Sequence, residues 1–409
     1  MANNTFPTSS LVAKTALAVL RNSFVYTPRT TRDMQSLFSQ RAFNSGDTVN
    51  IKKPPRYQVG VGATLNVNDT IQDTVPLTVS QLNLGLEVTS KELMLSIDGM
   101  RQFVTPVMAT FAAKIDGFVA DLYKQVYTVV TPGARVAQGG GFIPAQWTGV
   151  NPTYESFLDA RAAIVSNGAP DDTMFTAINP YIAAKVVNEV KALPEASSEI
   201  SNQYKKGLMR IAAGFEWLES QQAPRHVNGT RTTGVTVTSY TANTITVGGA
   251  GTTTFNAGDV FYVDGVFEIN KLTLQNLPTL QPFVVLNAAT AVAGAATLNV
   301  SPKLVVSGNQ KTISNAPAGS APVTMSGAPS AATFVNLAWQ RDAIATAFVP
   351  MTTEVSAAGG AVQETDRESG LTIRVTRDFD IVNDKEVYRF DIMFGCTMLR
   401  PELAARVQG

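Results

Sequence analysis

The 409-residue chain has one cysteine and one histidine. A single thiol, Cys396, cannot close an internal disulfide, so nothing in the chain requires an oxidising compartment. A single imidazole makes any Ser–His–Asp or Cys–His mechanism depend on His226. That residue lies in Pro224-Arg225-His226-Val227-Asn228-Gly229, which reads as a turn-like linker. Cys396 reads as a buried structural thiol in a strand, with no basic neighbour in sequence to activate it. No HExxH, CxxC or EF-hand spacing occurs, and neither a metal nor a cofactor is expected. Charge is scarce as well. Charged residues make up 16%, with 32 basic against 32 acidic side chains. A neutral chain has no electrostatic means of holding a polyanion tightly, which excludes a dedicated nucleic-acid binder but not loose contact with one. Residues 11–20 are apolar but carry Lys14 and follow no basic start. They are too short to span a bilayer, and a soluble protein without a membrane partner is expected.

The longest periodic stretch covers residues 102–130. Apolar side chains recur at Val104, Val107, Met108, Phe111, Ile115, Phe118, Val119, Leu122 and Val126. This is the i, i+3, i+4, i+7 spacing of one helix face. Pro106 fits near a helix start, which places the first turn close to Gln102. Lys114, Asp116, Asp121 and Lys124 fall off the stripe. The expected core of this helix is Val104, Met108, Phe111, Ile115, Phe118 and Leu122.

Around it the chain changes character several times. Residues 9–22 form a short helix capped by Ser9 and Ser10. Residues 23–46 mix arginines with isolated Phe and Leu, and read either as an arm that packs on something other than its own core or as a frayed terminus. Residues 48–80 make a long two-stranded excursion. Lys52-Lys53-Pro54-Pro55-Arg56 puts charge and proline at its edge, and Gly60, Gly62, Asn66, Asn68 and Asp69 make its outer part turn-rich. An isolated hairpin is marginal in water, so this one needs a partner surface. Another strand covers residues 82–88. Gly133 and Gly139 to Gly141 form a plain loop, because no Lys-Ser or Lys-Thr follows to make a phosphate cradle. A helix over residues 151–165 turns Phe157, Leu158, Ala162 and Ile164 inward. A strand follows the Asp171-Asp172 turn, and a second helix starts at Pro180. From residue 223 to 331 the composition shifts to Thr, Val, Gly, Ala and Ser with successive short strands, and Asp264-Gly265 predicts a hairpin. A small closed or sandwich-like β domain inserted into an α+β parent is expected, with helical pattern resuming at Phe334. Residues 371–397 alternate around an Asn383-Asp384 turn.

Three segments resemble the coat proteins of P22-like tailed phages. The first is Ile211-Ala212-Ala213-Gly214-Phe215-Glu216-Trp217-Leu218-Glu219-Ser220 with Ala223-Pro224-Arg225-His226 after it. The second runs from Asn336-Leu337-Ala338-Trp339-Gln340-Arg341-Asp342 to Phe348-Val349-Pro350-Met351. The third is the C-terminal strand pair closing with Arg400-Pro401-Glu402. The resemblance implies an α+β, HK97-like capsid subunit with an inserted small β-barrel-like domain. It assigns residues 1–47 to an N-terminal arm, 48–80 to an extended loop and 81–150 to a peripheral domain whose spine helix is 102–130. Residues 151–222 and 332–370 become an axial domain, 223–331 the inserted domain, and 371–409 strands returning to the core. The implied function is that of a major capsid protein, not an enzyme. It would close an icosahedral shell of pentamers and hexamers around double-stranded DNA in the bacterial cytoplasm. Implied partners are other copies of the chain, a scaffolding protein, a portal and, loosely, the packaged DNA. Contacts between subunits are expected at Arg56, Tyr57, Val59, Gly62, Asn66, Asn68 and Asp69, with Arg56 meeting a neighbour's carboxylate. One departure concerns residues 234–259, whose strands are joined by short segments nearly free of charge. The long charged loop that this family can carry there is missing. Two other readings are a secreted surface-layer or adhesin-type protein, and an enzyme with a β-rich accessory domain.

Overall fold

The computed structural model describes residues 9–33, 47–57, 59, 67, 72–89, 99–147, 149–170, 172–190, 211–230, 234–352, 361–366 and 369–409. The chain forms two compact units. One comprises Met1–Ile51, Thr74–Val119 and Ile344–Thr397, and the other Lys52–Asp73, Ala120–Ala343 and Met398–Gly409.

The sheet of the first unit is built on the strand Lys385–Met398, which pairs with Thr372–Asp380, Ser80–Thr89 and Ile344–Val349. Alternation puts Ile373 and Val375 with Phe390 and Ile392 in the core. Helix α1 (Ser9–Ser23) lies against Ala361–Thr365 and Thr372–Asp380, burying Val12, Ala13, Ala16 and Leu20. The segment after it is buried as well. Tyr26 and Thr27 are inaccessible, Thr30 hydrogen-bonds Thr346 at 2.7 Å, and Thr31 bridges to Ala345. The reading of residues 23–46 as an arm packed on something other than its own core, or a frayed terminus, is therefore corrected for residues 23–31, which pack on their own chain. Threonines satisfied by hydrogen bonds carry no apolar period, so the sequence gives no sign of this burial.

Helix α2 spans Gly99–Asp121 and is followed by a 3₁₀ turn, Leu122–Gln125, and a short strand, Val129–Val130. The helix expected over residues 102–130 thus ends earlier, because Val129 and Val130 are taken up by pairing with Arg406 and Val407. Pro106 is interior rather than near the start. It removes one ladder bond there, and Thr110 Oγ1 donates to its carbonyl at 2.9 Å. Val104, Met108, Phe111, Ile115 and Leu122 are buried as expected, whereas Phe118 is 38% exposed. The buried face also takes in Ala112, Asp116, Val119 and Ala120. At about 100° per residue its centre is turned by about 80° from Phe111, which leaves Phe118 outside. A stripe drawn through large apolar side chains gives small residues no weight and turns a carboxylate toward water.

Asp116 is the inward-facing exception. Its Oδ2 accepts from the backbone N–H groups of Val25 (2.5 Å) and Tyr26 (3.3 Å). Its Oδ1 accepts from the N–H of Thr27 (3.1 Å) and the Thr27 hydroxyl (2.6 Å). Burial pushes its carboxyl above the usual aspartate range, and these donors pull against that.

The second unit holds two large sheets and a two-stranded one, Thr254–Phe255 with Ala289–Thr290. In the first, the strand Ala332–Gln340 lies between Ala404–Gln408 and Met174–Ile178, and Phe215–Glu219 runs parallel to the latter. The segment expected to be helical from Phe334 is therefore a strand. From Val335 onward it is buried on both faces, with Asn336 and Gln340 buried among apolar residues, so the sequence shows no period of two. Helices α3 (Tyr154–Ser166) and α4 (Pro180–Val190) pack Phe157, Ile164, Ile182 and Val186 against Trp217 and Ala338. A Thr153–Ser156 capping box starts α3. Leu158 and Ala162 face outward, correcting their expected burial.

The second sheet runs in the order Thr236–Tyr240, Thr244–Gly248, Ala296–Ser301, Asn276–Val285, Val260–Ile269, Val323–Met325. Its two ends meet. The N–H of Val323 donates to Val235 and that of Val237 to Ala321, both at 2.9 Å, and Thr236 bridges to Pro322. Inside lie Val237, Ile245, Phe255, Phe261, Phe283 and Leu298. Asp264-Gly265 is not a hairpin turn. It lies within Val260–Ile269, where the ladder steps from Tyr262↔Pro282 to Phe267↔Leu280 and the surplus residues bulge, with Gly265 at φ +80°. Gly139-Gly140, read as part of a plain loop, is instead a tight hairpin turn, at φ +54° and +81°, between Val136–Gln138 and Gly141–Ile143.

The two phenylalanines of α2 give a direct test of the corrected face. Phe111→Ala is expected to lower unfolding stability by about 3–5 kcal/mol, and Phe118→Ala by less than about 1 kcal/mol. Urea titration of both variants checks this, and equal losses would restore the uncorrected stripe.

Candidate assembly surfaces

The loop that joins the ladder strands Thr48–Lys52 and Thr74–Thr78 has a charged base. The Lys53 N–H donates to the Asp73 carbonyl at 2.8 Å, closing the two legs. On one leg Arg56 lies 3.6 Å from Glu402, in the 3₁₀ turn Pro401–Leu403. On the other, Asp73 meets Lys303 at 2.8 Å. The Lys303–Asp73 pair is well exposed and worth no more than about 1 kcal/mol. The Arg56 side is more enclosed. Burial raises the Glu402 carboxyl, but Lys271, Lys53 and Arg56 together outweigh this and hold it below the ordinary glutamate value. Lys271 Nζ donates to the Tyr127 hydroxyl at 2.8 Å. Burial pushes the Lys271 amine down to about 8, with Glu402 and Glu268 opposing the shift.

Of the expected contact residues, Arg56 therefore has a carboxylate partner in its own chain, which revises the expectation that a neighbour supplies one. Tyr57 is 59% exposed and Val59 94% exposed. Gly62, Asn66, Asn68 and Asp69 lie outside the described residues. Glu402, Lys271, Asp73 and Lys303 were missed by sequence reasoning. They come from four distant stretches, and no spacing links them.

His226 is not in a loose linker. It lies in the strand Arg225–Val227, 3% exposed. Its Nδ1 is 3.0 Å from the Tyr123 hydroxyl and its Nε2 is 3.0 Å from Asp259 Oδ1. A neutral ring protonated on Nε2 satisfies both bonds, with Tyr123 donating and Asp259 accepting. Asp259 Oδ2 also accepts from the N–H groups of Gly229 (3.1 Å) and Asn256 (3.0 Å). Burial pushes the Tyr123 hydroxyl up to about 12, while the Arg406 guanidinium, 6.0 Å from its ring, draws it back. All three partners are enclosed, so this chain of bonds fixes structure and offers no nucleophile to solvent. Cys396 is half-buried, more open than the structural thiol expected. Among the described residues no three His, Cys, Asp or Glu side chains converge as a metal site.

The family comparison agrees with a shell subunit. Residues 73–408 match the family described as P22 coat protein, gene protein 5. No curated protein sequence matches the chain. The chain is similar to the solved structure of Mycobacterium phage Che8 at 10% identity and TM-score 0.44, covering 94% of this chain and 90% of that one. It is similar to the capsid of the cyanophage P-SCSP1u at 11% identity and TM-score 0.46, covering 94% and 87%. A virus-like particle from Pyrococcus furiosus matches at 9% identity and TM-score 0.37, covering 97% and 98%. The class is that of phage shell proteins. The chain belongs to the P22 coat protein family and is a major capsid protein of a tailed phage.

The enclosed amine at the loop base sets a pH dependence. The folded state releases the Lys271 proton near pH 8, whereas the unfolded chain holds it to about 10.5. Stability should therefore rise with pH across that window, and below pH 8 the full burial penalty remains. Lys271→Met should lose this rise. Urea midpoints of both proteins between about pH 8 and 10 check it, and parallel profiles would place the amine in open solvent.

Proposed function

We propose that the loop of residues 52–73 is an assembly element that lies on a neighbouring subunit. On this reading the chain is an HK97-like subunit that closes an icosahedral shell of pentamers and hexamers around double-stranded DNA. The observation that carries it is the pairing of a pinned base with three exposed apolar side chains among the described loop residues. Arg56 and Asp73 hold the legs to their own chain, while Tyr57, Val59 and Val67 stand 59%, 94% and 78% exposed. Holding such side chains in water is unfavourable, and a second subunit would cover them. The neutral charge suits loose contact with packaged DNA. A scaffolding protein and a portal complete the expected partners, with assembly in the host cytoplasm. Deleting residues 62–68 should leave a soluble, folded subunit that forms no closed shells. Electron microscopy beside circular dichroism reads both. Normal shells from the deletion variant would show that the loop is not an assembly element.

Residues 223–331 are proposed as an inserted β domain. Two features support this. Arg225 pairs with Phe334 and Val227 with Ala332, so the segment leaves and returns at one place. One hydrophobic core lies wholly between Val235 and Met325, while a second face packs Val260, Tyr262, Leu280 and Val284 against Tyr127, Val129 and Ile143. Expressed alone, residues 223–331 should give a dispersed β-type NMR spectrum. A collapsed spectrum would mean that the domain needs its parent.

A further inference from the structure

The turn joining Thr372–Asp380 to Lys385–Met398 carries apolar side chains where turns usually carry Gly, Asn or Asp. Ile381 is 85% exposed, Val382 90% and Phe379 45%. The turn is built, not loose. Asp380 Oδ1 accepts from the N–H groups of Val382 (2.9 Å) and Asn383 (3.4 Å). Asp380 Oδ2 accepts from the Asn383 side-chain amide at 2.7 Å. Below it the ladder continues through Asp380↔Lys385 and Phe379↔Glu386, flanked by the Lys385–Glu87 pair at 3.1 Å. The apex thus holds two large apolar side chains in water on a hydrogen-bonded turn, and residues 378–385 carry three aspartates against the one lysine, Lys385, paired opposite Asp380.

The same unit presents a surface of the opposite kind. Phe103 (41% exposed), Val107, Lys114 and Phe118 (38% exposed) fall at i, i+4, i+11 and i+15 on α2. They form one outward stripe about 22 Å long. Lys114 Nζ stands 5.0 Å from the centre of the Phe118 ring, so the stripe ends in a cation laid on an aromatic face. The helix's nearby carboxylate, Asp116, is turned inward and engaged by the Val25–Thr27 turn. The apex is apolar and acidic, and the stripe apolar and basic.

We propose that the Ile381–Val382 apex of one subunit docks on the Phe103–Val107–Lys114–Phe118 stripe of a second copy. The inference rests on the reading of this chain as a shell subunit. Each copy carries one apex and one stripe, so the contact is heterologous: every subunit gives one and receives one. Contacts of this kind close into rings when the rotation between neighbours allows. The three aspartates select the end of the stripe that carries Lys114 and fix the direction of the ring.

The test uses full-length protein and two sets of variants. An Ile381→Ser/Val382→Ser double variant and a Lys114→Glu variant should melt as the wild type does, yet yield at least about tenfold fewer shells. In addition, Val382→Cys subunits are mixed with Phe118→Cys subunits, assembled and oxidised. A 118–382 disulfide between the two chains, identified by mass spectrometry, is expected. Wild-type shell yield from the serine variant overturns the proposal, as do shells containing both cysteine variants without that disulfide. If the serine variant loses its fold, the disulfide decides alone. Wild-type protein that forms no shells would instead remove the shell reading itself, and this inference with it.

Discussion

A strand buried on both faces must find hydrogen-bond partners along both edges, and Ala332–Gln340 meets this demand with partners from far along the chain.

 On one edge of Ala332–Gln340 lies Ala404–Gln408, on the other Met174–Ile178, and Arg225–Val227 covers its start. The last residue takes part, since Phe334 and Gly409 exchange backbone bonds at 2.9 and 3.0 Å. This sheet forms only when four distant stretches have come together, and its loop-closure entropy is correspondingly large. The same strand explains how a β barrel sits between Val227 and Ala332. Once those two residues are paired, the chain between them closes no further loop in the parent sheet.

Polar groups inside the chain place elements that apolar packing would leave free to slide. Asp116 ties the Val25–Thr27 turn to α2. The Tyr123–His226–Asp259 chain ties the 3₁₀ turn after α2 to the strand Arg225–Val227 and to the start of Val260–Ile269. Lys271 and Glu402 gather around Tyr127 and Arg56 at the loop base. Buried polar contacts of this kind add little net stability over apolar substitutes, but leaving one partner unpaired is costly, so they penalise wrong arrangements. The apolar side chains left in water show the reverse pattern. Val59 and Val67 lie in the loop of residues 52–73 and Ile381 and Val382 at a turn, and all four are largely exposed.

Much of the architecture is legible in the residues. The α2 period, the two-stranded excursion before it, the β-rich stretch from 223 and the Asn383-Asp384 turn all rest on local patterns that the fold preserves. The misreadings share a cause. Ala332–Gln340 lacks alternation because both of its faces are buried. Phe118 was placed inside because Ala112 and Ala120 gave the helix face no apparent weight, and Asp116 was placed outside because its four donors come from residues some ninety positions earlier. Asp264-Gly265 has the composition of a hairpin, yet the pairing of Val260–Ile269 with Asn276–Val285 continues past it as a bulge. His226 and the Glu402–Lys271 cluster were invisible for the same reason as Asp116, since each is assembled across the fold and no sequence spacing encodes it.

Net neutrality bears on how such a subunit associates. With 32 basic and 32 acidic side chains there is no long-range field to steer copies together, so encounter proceeds at the rate of unsteered collision. Selectivity must then come from short-range complementarity. A single apex or loop covers too little area to hold two subunits together by itself. In a closed ring each subunit is held at two places, and once one contact has formed the next is effectively intramolecular. That gain depends on the contacting groups being held at fixed positions, because a mobile tip would lose its conformational freedom again at every contact. The Asp380 turn, whose carboxylate accepts three hydrogen bonds from Val382 and Asn383, is held in this way within its own chain. Weak, rigidly presented contacts also let a misplaced subunit leave before the ring closes, which a few strong contacts would prevent.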